Sequence, residues 1–201
     1  MATQAITRRP RFILVSDLDW TMVDHNDLEH KQLKAFNSLW SSHFAKDSLL
    51  VFSTGRSHSL FIELRDHVPL GEPDVLGWNR QQILQSVSEH HGLKLQAESE
   101  QRPHKISYHV SLTASKGKGL EFLLEEIEEL VGLPPDGVMV CGDSGNDIEL
   151  FAVPDARGCM VANAHPELKQ WCDAHASSNL FQASERCAGG IIQALQHFKL
   201  A

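Results

Sequence analysis

Residues 11–21 read RFILVSDLDWT, an apolar run that leads directly into two aspartates with one residue between them. A short apolar run bounded by polar residues is typical of a strand that is buried on both faces of a parallel sheet. The same pattern recurs at 48–53 (SLLVFS), 138–141 (VMVC) and 158–161 (GCMV), and we expect a short fifth strand to begin at Leu180. These runs predict the central strands of one sheet.

Helical patterns alternate with these strands. Apolar residues repeat at roughly helical spacing over 28–44, and a second helix is predicted from about 57 to 67. Residues 120–131 keep the i, i+3, i+4, i+7 spacing of an amphipathic helix with an acidic outer face. Two more helices are predicted, one with Pro166 in its first turn and one over 184–198. This alternation predicts an α/β fold with a Rossmann-like, doubly wound and mostly parallel sheet.

The middle of the chain has a different pattern. A helix is predicted at 79–91, and the segments 93–99 and 105–111 alternate apolar and polar residues. Such alternation is typical of antiparallel strands with one solvated face. We therefore predict a core formed by 1–78 and 113–201, with a small α+β insertion at 79–112.

Composition limits the class of protein. The 201 residues carry a net charge of −8, and 42% are hydrophobic, which suits one soluble domain with a small insertion. An acidic chain lacks the basic surface with which proteins usually bind nucleic acid, so we expect no such partner. Neither a membrane span nor a targeting peptide is apparent, and the four cysteines lack CxxC spacing. We therefore expect a cytoplasmic protein with reduced, mostly buried thiols.

Polar residues gather where the predicted strands end. Asp17 and Asp19 follow the first strand, Thr54 the second and Asp143 the third, while Lys116 lies near the start of the helix before the third strand. The carboxyl ends of parallel strands share one edge of a sheet, where ligands bind. Three carboxylates brought together repel each other, and Mg²⁺ is the oxygen-liganded cation that would relieve this repulsion.

A divalent cation beside a hydroxyl and a lysine makes a phosphate site, because the cation and the lysine neutralise the phosphoryl oxygens. One aspartate can then attack phosphorus, and a second can act as general acid and then general base. Each motif is weak alone, since Asp pairs, Thr-Gly-Arg and Lys-Gly-Lys are common in turns and loops. Their positions at strand and helix ends favour a phosphoryl-transfer site.

The motifs DLDWT (17–21), STGR (53–56), SKGKGL (115–120) and GDSGND (142–147) resemble the four signature motifs of the haloacid-dehalogenase-like phosphatases. Longer segments, among them ESEQRPHKISYHV at 98–110, resemble the sucrose-phosphate phosphatase family of plants and cyanobacteria. The resemblance covers nearly the whole chain. It implies a Mg²⁺-dependent hydrolase that converts sucrose 6-phosphate to sucrose and phosphate, the last step of sucrose synthesis.

By this resemblance, Asp17 is the nucleophile and Asp19 the acid and base. Thr54 and Lys116 hold the phosphoryl group, and Asn146 orients it or Lys116. The implied Mg²⁺ ligands are the carboxylates of Asp17 and Asp143 and the main-chain carbonyl of Asp19. Asp147 either coordinates the metal as well or holds the coordinating groups in place. The insertion at 79–112 corresponds to the cap that reads the sugar in this family. Its candidate sugar contacts are Gln101, Arg102, His104 and Lys105.

The chain departs from the family in two respects that bear on the site. Trp20 stands where the family usually has a small residue or histidine. Only 60 positions separate Arg56 from Lys116, about half the number that the family leads us to expect. Segments of the family are missing near 74–78 and after Val110. We therefore expect a shortened cap that encloses a disaccharide poorly.

Three other interpretations remain open at this point. The chain could be a less specific sugar phosphatase that has lost part of its cap. It could instead be an inactive relative that binds sucrose-phosphate synthase through its remaining surfaces. A phosphoacceptor of the response-regulator type would also have an acidic pocket at the strand ends, but it would not need a second carboxylate at Asp19.

Overall fold

The computed structural model describes residues 8–56, 58–68 and 115–201, together with the backbone of 93–95 and 108–110. The strands in these residues are β1 (Ile13–Ser16), β2 (Leu49–Phe52), β3 (Leu93–Leu95), β4 (Tyr108–Val110), β5 (Val138–Gly142), β6 (Arg157–Met160) and β7 (Leu180–Gln182). The helices are α1 (Lys31–His43), α2 (His58–His67), α3 (Lys116–Val131), α4 (Ile148–Phe151), α5 (Pro166–Ala174) and α6 (Cys187–His197), with a 3₁₀ turn at Gly145–Asp147.

Within the described residues, a five-stranded parallel sheet has the order β2-β1-β5-β6-β7. Ile13 of β1 pairs with Leu49 of β2 on one side and with Val138 of β5 on the other. All four residues of β1 are buried, because helices cover both faces of the sheet. The predicted α/β, Rossmann-like parallel sheet is confirmed, and each predicted strand lies within two residues of the observed one.

Side chains of the strands alternate between two hydrophobic clusters. Leu14 points to the cluster that includes Phe36 of α1 and Ile191 of α6. Val15, the next residue, belongs to the cluster that includes Ile127 of α3 and Leu168 of α5. The sheet therefore has a packed helical layer on each face, as a doubly wound fold requires.

Two helices begin later than the sequence predicts. Predicted to start near residue 28, α1 starts at Lys31, because the Asp27 carboxylate accepts the backbone N–H groups of Glu29 and Lys31 and holds a turn there. Predicted from residue 184, α6 starts at Cys187. The Gln193 side chain accepts the N–H groups of Ser184 and Glu185 and keeps them out of the helix. In both places a side chain competes with the helical backbone for the same donors.

Strands β3 and β4 pair in antiparallel register, with Leu93 opposite Val110, as predicted for the middle of the chain. The helix predicted at 79–91 lies outside the described residues. All four cysteines are buried free thiols, as expected. In the described part of the chain, none of the helices combines the length and apolar character that crossing a bilayer requires.

Candidate active site

The loop after β1 is a tight turn that returns Thr21 to the sheet edge. The N–H groups of Met22 and Val23 both donate to the Leu18 carbonyl, at 3.0 and 2.9 Å. The turn brings the Thr21 hydroxyl to within 2.8 Å of Asp143 Oδ1, to which it donates a hydrogen bond. Thr21 is completely buried, so this bond fixes the β1 loop against the loop that follows β5.

The loop after β5 folds around the fully buried carboxylate of Asp147. Its Oδ2 accepts the backbone N–H groups of Asp143 and Ser144, at 3.0 and 3.1 Å. This arrangement needs glycine at 142, because a Cβ there would lie 2.5 Å from the Cβ of Asp147. The loop is therefore held in one conformation, with Asp143 beside Asp17.

Lys116, the first residue of α3, joins the two loops. Its Nζ lies 2.9 Å from Asp17 Oδ1 and 2.6 Å from Asp147 Oδ1. The start of α3 comes very close to α4, since a Cβ at Gly117 would lie 2.4 Å from the Glu149 carbonyl oxygen. A glycine after the lysine thus lets the helix deliver its ammonium group to both carboxylates.

Ligand atoms of Asp17, Asp143 and Asp147 lie within 4.8 Å of one another. Burial raises the pKa of Asp17, and the charge of Asp147 adds to the rise, although Lys116 opposes it. Burial, with the charges of Asp147 and Asp17, raises the pKa of Asp143 to about 6 despite the Thr21 hydrogen bond. Three carboxylates face one lysine, so two negative charges remain for a divalent cation to balance. All donors are oxygens, which fits Mg²⁺.

Lys116 is firmly protonated in this setting. Burial lowers the pKa of the ammonium group, but the hydrogen bonds and charges of Asp147 and Asp17 outweigh it and raise the pKa above its usual value. The lysine is therefore a permanent positive charge at the floor of the site.

Asp19 lies nearer the surface and has different partners. Arg56 donates from Nε to Oδ2 at 2.7 Å and from Nη2 to Oδ1 at 2.6 Å, and His25 Nε2 lies 2.6 Å from Oδ1. Burial raises the pKa of Asp19, but the hydrogen bonds and charges of Arg56 and His25 outweigh it, and the net pKa is lowered. The two predicted catalytic aspartates thus occupy contrasting environments.

Of the other predicted site residues, the structure describes Thr54 and Asn146 but not the predicted sugar contacts. Thr54 follows β2, and its hydroxyl accepts the Arg56 N–H at 3.1 Å, which shapes the STGR turn. Asn146 lies in the 3₁₀ turn after β5, where its Oδ1 accepts the Ser144 hydroxyl. Both are at the same sheet edge as the carboxylates. The predicted sugar contacts lie outside the described residues; they are Gln101, Arg102, His104 and Lys105.

Sequence reasoning gave no role to Arg56, His25 or Thr21, which contact the predicted carboxylates directly. Arg56 lies in the STGR motif and Thr21 in the DLDWT motif, so their membership of these motifs is a signal that the two residues belong to the site. Their partners could not be read from the sequence, because they depend on how the turn at 18–23 folds back.

The sequence model of the family "Sucrose-6F-phosphate phosphohydrolase" matches residues 10–77, 76–114 and 110–199. "Probable sucrose-phosphatase 2" of Arabidopsis thaliana is 39% identical over 98% of this chain and 62% of its own length. "Sucrose-phosphatase 1" of Nicotiana tabacum is 38% identical over 97% of this chain and 61% of its own length. The chain therefore spans about three fifths of the length of these relatives.

A crystal structure of the sucrose-phosphatase from Synechocystis sp. PCC6803, in complex with sucrose and phosphate, superposes with a TM-score of 0.63. The two chains are 28% identical, and the match covers 94% of this chain and 98% of the other. The structure of yhjK, a haloacid dehalogenase-like hydrolase protein from Bacillus subtilis, gives a TM-score of 0.62 at 13% identity, over 96% of this chain and 94% of the other, and shows the fold alone.

The shortening is visible in the alignments. The match to the Arabidopsis relative runs over 261 positions, whereas this chain has 201 residues, so at least 60 positions of the relative face a gap. The three segments of the family match meet at 76–77 and 110–114, where the sequence was expected to lack parts of the family. With nearly all of its length matched in three consecutive segments, the chain belongs to the sucrose-6F-phosphate phosphohydrolase family.

Proposed function

We propose that this chain is a Mg²⁺-dependent phosphomonoesterase that hydrolyses sucrose 6-phosphate to sucrose and phosphate. The observation that carries the proposal is the buried cluster of Asp17, Asp143 and Asp147, bridged by Lys116, with a second kind of carboxylate, Asp19, at its rim. The identity of the sugar in the proposed substrate is inferred from the names of the relatives. The reaction would complete sucrose synthesis in the cytoplasm, after sucrose-phosphate synthase.

Asp17 and Asp143 are the proposed carboxylate ligands of the cation, together with the main-chain carbonyl of Asp19. Asp147 has both carboxylate oxygens in hydrogen bonds, to Lys116 and to two backbone N–H groups, so we assign it mainly to support. When bound, Mg²⁺ would supply positive charge to the phosphoryl oxygens and bring that group towards Asp17.

Asp17 is the proposed nucleophile. An ionised Asp17 oxygen attacks phosphorus, the bond from phosphorus to the sugar oxygen breaks, and an aspartyl phosphate forms. Lys116 favours the ionised form of Asp17 and would offset the charge on the phosphoryl oxygens. Thr54 and Asn146 are the proposed hydrogen-bond donors to the remaining phosphoryl oxygens.

Asp19 is the proposed acid and base. In the second step water attacks phosphorus and gives a proton to Asp19, while the bond from phosphorus to Asp17 breaks and phosphate is released. The lowered pKa of Asp19 suits this role, because it favours the ionised form that accepts the proton. In the first step Asp19 must carry a proton for the leaving sugar oxygen. The Arg56 fork opposes this protonation, so we expect Arg56 to release Asp19 when the sugar arrives.

The test is phosphate release from sucrose 6-phosphate, glucose 6-phosphate and fructose 6-phosphate, with Mg²⁺ or with EDTA. Asp17→Asn is the blank, since it keeps the shape of the side chain and removes the nucleophile. Release from sucrose 6-phosphate that requires Mg²⁺ would support the proposal. No release from the folded protein would overturn it and favour a binding role, with sucrose-phosphate synthase as the first partner to try.

A less specific sugar phosphatase is the second candidate, favoured by the missing 60 or more positions. The proposed sugar contacts, residues 101–105, lie in the segment between the two breaks of the family match. A shortened cap encloses less of a disaccharide, and a site that leaves hydroxyls unpaired discriminates less. Similar rates with all three sugar phosphates would identify this case.

A further inference from the structure

Trp20 is the residue between Asp19 and Thr21, and its backbone is unusual. Its φ of 62° lies in the left-handed region, which a bulky aromatic residue seldom adopts. The side chain is nevertheless 37% exposed, so it is not there to fill the core. Backbone outliers that the surrounding structure maintains are concentrated at functional sites.

The backbone of Trp20 is held independently of its ring. Its N–H donates to the Val23 carbonyl at 2.9 Å, and its carbonyl accepts from Asn163 Nδ2 at 2.7 Å and from Cys187 Sγ at 3.1 Å. Contacts from the β1 loop, the loop after β6 and the first residue of α6 therefore fix where the indole starts. Truncation of the ring would leave all three contacts in place.

The indole lies beside the proposed acid and base. Its ring meets the His25 ring edge-on, with centroids 5.0 Å apart, and His25 Nε2 is 2.6 Å from Asp19 Oδ1. The site thus has two depths. The side chains of Asp17 and Asp147 are 12% and 0% exposed, whereas those of Asp19 and His25 are 30% and 31% exposed.

This difference in burial indicates where the phosphoryl group and the leaving group of a phosphate ester would lie. The phosphoryl group must reach the buried nucleophile, so the leaving group has to lie on the outer side, where Asp19 can reach its oxygen. A sugar ring has polar edges and an apolar face of C–H groups. An indole offers a large, flat apolar surface with few rotatable bonds, and charged groups beside it can pair the hydroxyls.

We propose that Trp20 is a specificity-determining residue, whose indole stacks on the C–H face of the sugar ring that carries the phosphate. The inference rests on the proposed phosphatase function and names the part of the leaving group that is read. It assigns to the β1 loop a share of the recognition that a shortened cap would otherwise supply. His25, whose ring meets the indole, borders the same surface.

The kinetic test compares Trp20→Ala and Trp20→Phe with the wild type on two substrates, sucrose 6-phosphate and glycerol 3-phosphate, which has no ring. We expect Trp20→Ala to lower the ratio of kcat/KM for the sugar over that for glycerol 3-phosphate about tenfold, through KM. Trp20→Phe should restore most of the ratio. Equal losses on both substrates, or no loss on either, would overturn the proposal. Trp171→Phe, a tryptophan on α5, is the matched control.

A binding test separates this inference from the proposed function. Sucrose alone is titrated while tryptophan emission is recorded for the wild type, Trp20→Ala and Trp171→Phe. A sucrose-dependent change that persists in Trp171→Phe and disappears in Trp20→Ala supports the stacking surface, even if no phosphate ester is hydrolysed. Turnover of sucrose 6-phosphate without any such change, or a change that persists in Trp20→Ala, overturns the stacking and leaves the phosphatase standing. A wild type with neither turnover nor an emission change overturns both.

Discussion

Asp143 is the residue at which the electrostatic cost of the site is largest. Its pKa rises from 3.8 to about 6 on folding, because burial and two neighbouring carboxylates favour the neutral acid. Between these two values the folded state holds a proton that the unfolded chain has released. The unfolding free energy contributed by this group therefore falls as pH rises from about 4 to about 6.

Asp143→Asn removes this titration and keeps an acceptor for the Thr21 hydroxyl. In EDTA, we expect the unfolding free energy of the variant, relative to wild type, to increase from pH 4 to pH 7 by up to about 3 kcal/mol. Urea denaturation at several pH values measures it. Asp66→Asn, an exposed change on α2, is the control. A difference between Asp143→Asn and wild type that does not vary with pH would contradict the assignment.

Lys116 is the residue on which two buried carboxylates depend. Lys116→Met leaves Asp147, whose side chain is fully buried, without its cation. Removing one partner of a buried ion pair typically costs about 3–5 kcal/mol, so we expect a large loss of stability at pH 7. Phosphate release should fall at least about 100-fold, since the charge that faces the phosphoryl oxygens is gone.

Lys118→Met is the matched control, because Lys118 is exposed and lies in the same motif. Denaturation and phosphate release are measured for both variants. Equal effects of the two substitutions would show that the charge of the helix start, rather than the ion pairs of Lys116, matters.

At the scale of elements, apolar patterning predicts the strands well. Helices pack on both faces of the sheet, so a buried strand is apolar along its whole length. Helix starts are predicted less well. The observed starts of α1 and α6 depend on Asp27 and Gln193, side chains that capture backbone donors in a way no periodicity shows. The residues of the candidate site differ in the same way. Its carboxylates are predictable from the sequence, because they directly follow buried strands. The hydrogen bonds from Arg56 to Asp19 are not, because they depend on the three-dimensional path of two loops.

Helix α3 contains two glycines at which substitution by alanine should have opposite effects on stability. A Cβ at Gly119 meets nothing within 4 Å, so Gly119→Ala should stabilise the protein by about 0.5–1 kcal/mol through helix propensity. A Cβ at Gly117 would lie 2.4 Å from the Glu149 carbonyl oxygen. Gly117→Ala must push α3 away from α4, and we expect a net loss of stability together with lower activity, because Lys116 moves with the helix.

Thermal unfolding and phosphate release of the two variants form the test, and each glycine is the control for the other. If Gly117→Ala were as stable and as active as Gly119→Ala, the close approach of α3 to α4 would not be what positions Lys116.

The whole molecule shows where the shortening of the chain falls. Both breaks of the family match, at 76–77 and 110–114, lie between α2 and α3. On the core itself, a cavity of about 420 Å³ lies between β1, β2 and α3, and its lining includes Val15, Val51, Leu120 and Lys116. The described five-stranded sheet carries Asp17 and Asp143 at its strand ends, outside the region in which the family match is broken. Sequence motifs predicted these residues because each motif directly follows a buried strand.

A divalent cation should stabilise the whole fold, because it binds only where the loops after β1 and β5 meet. At 100 times its dissociation constant, Mg²⁺ would add about 2.7 kcal/mol to the unfolding free energy. For a chain of this size that corresponds to a rise in Tm of roughly 5–10 °C. The rise should be smaller at pH 5 than at pH 7.5. Asp143, with a pKa of about 6, is largely protonated at pH 5 and must lose that proton before it can bind the cation.

Differential scanning calorimetry at both pH values, with MgCl₂ or an equal ionic strength of NaCl, measures the effect without reference to catalysis. Asp17→Asn/Asp143→Asn is the variant that removes the site, and we expect its Tm to be the same in both salts. A Mg²⁺ shift that persists in the double variant would locate the cation elsewhere. A shift equal at pH 5 and pH 7.5 in the wild type would mean that Asp143 is not a ligand, since proton and metal would then not compete.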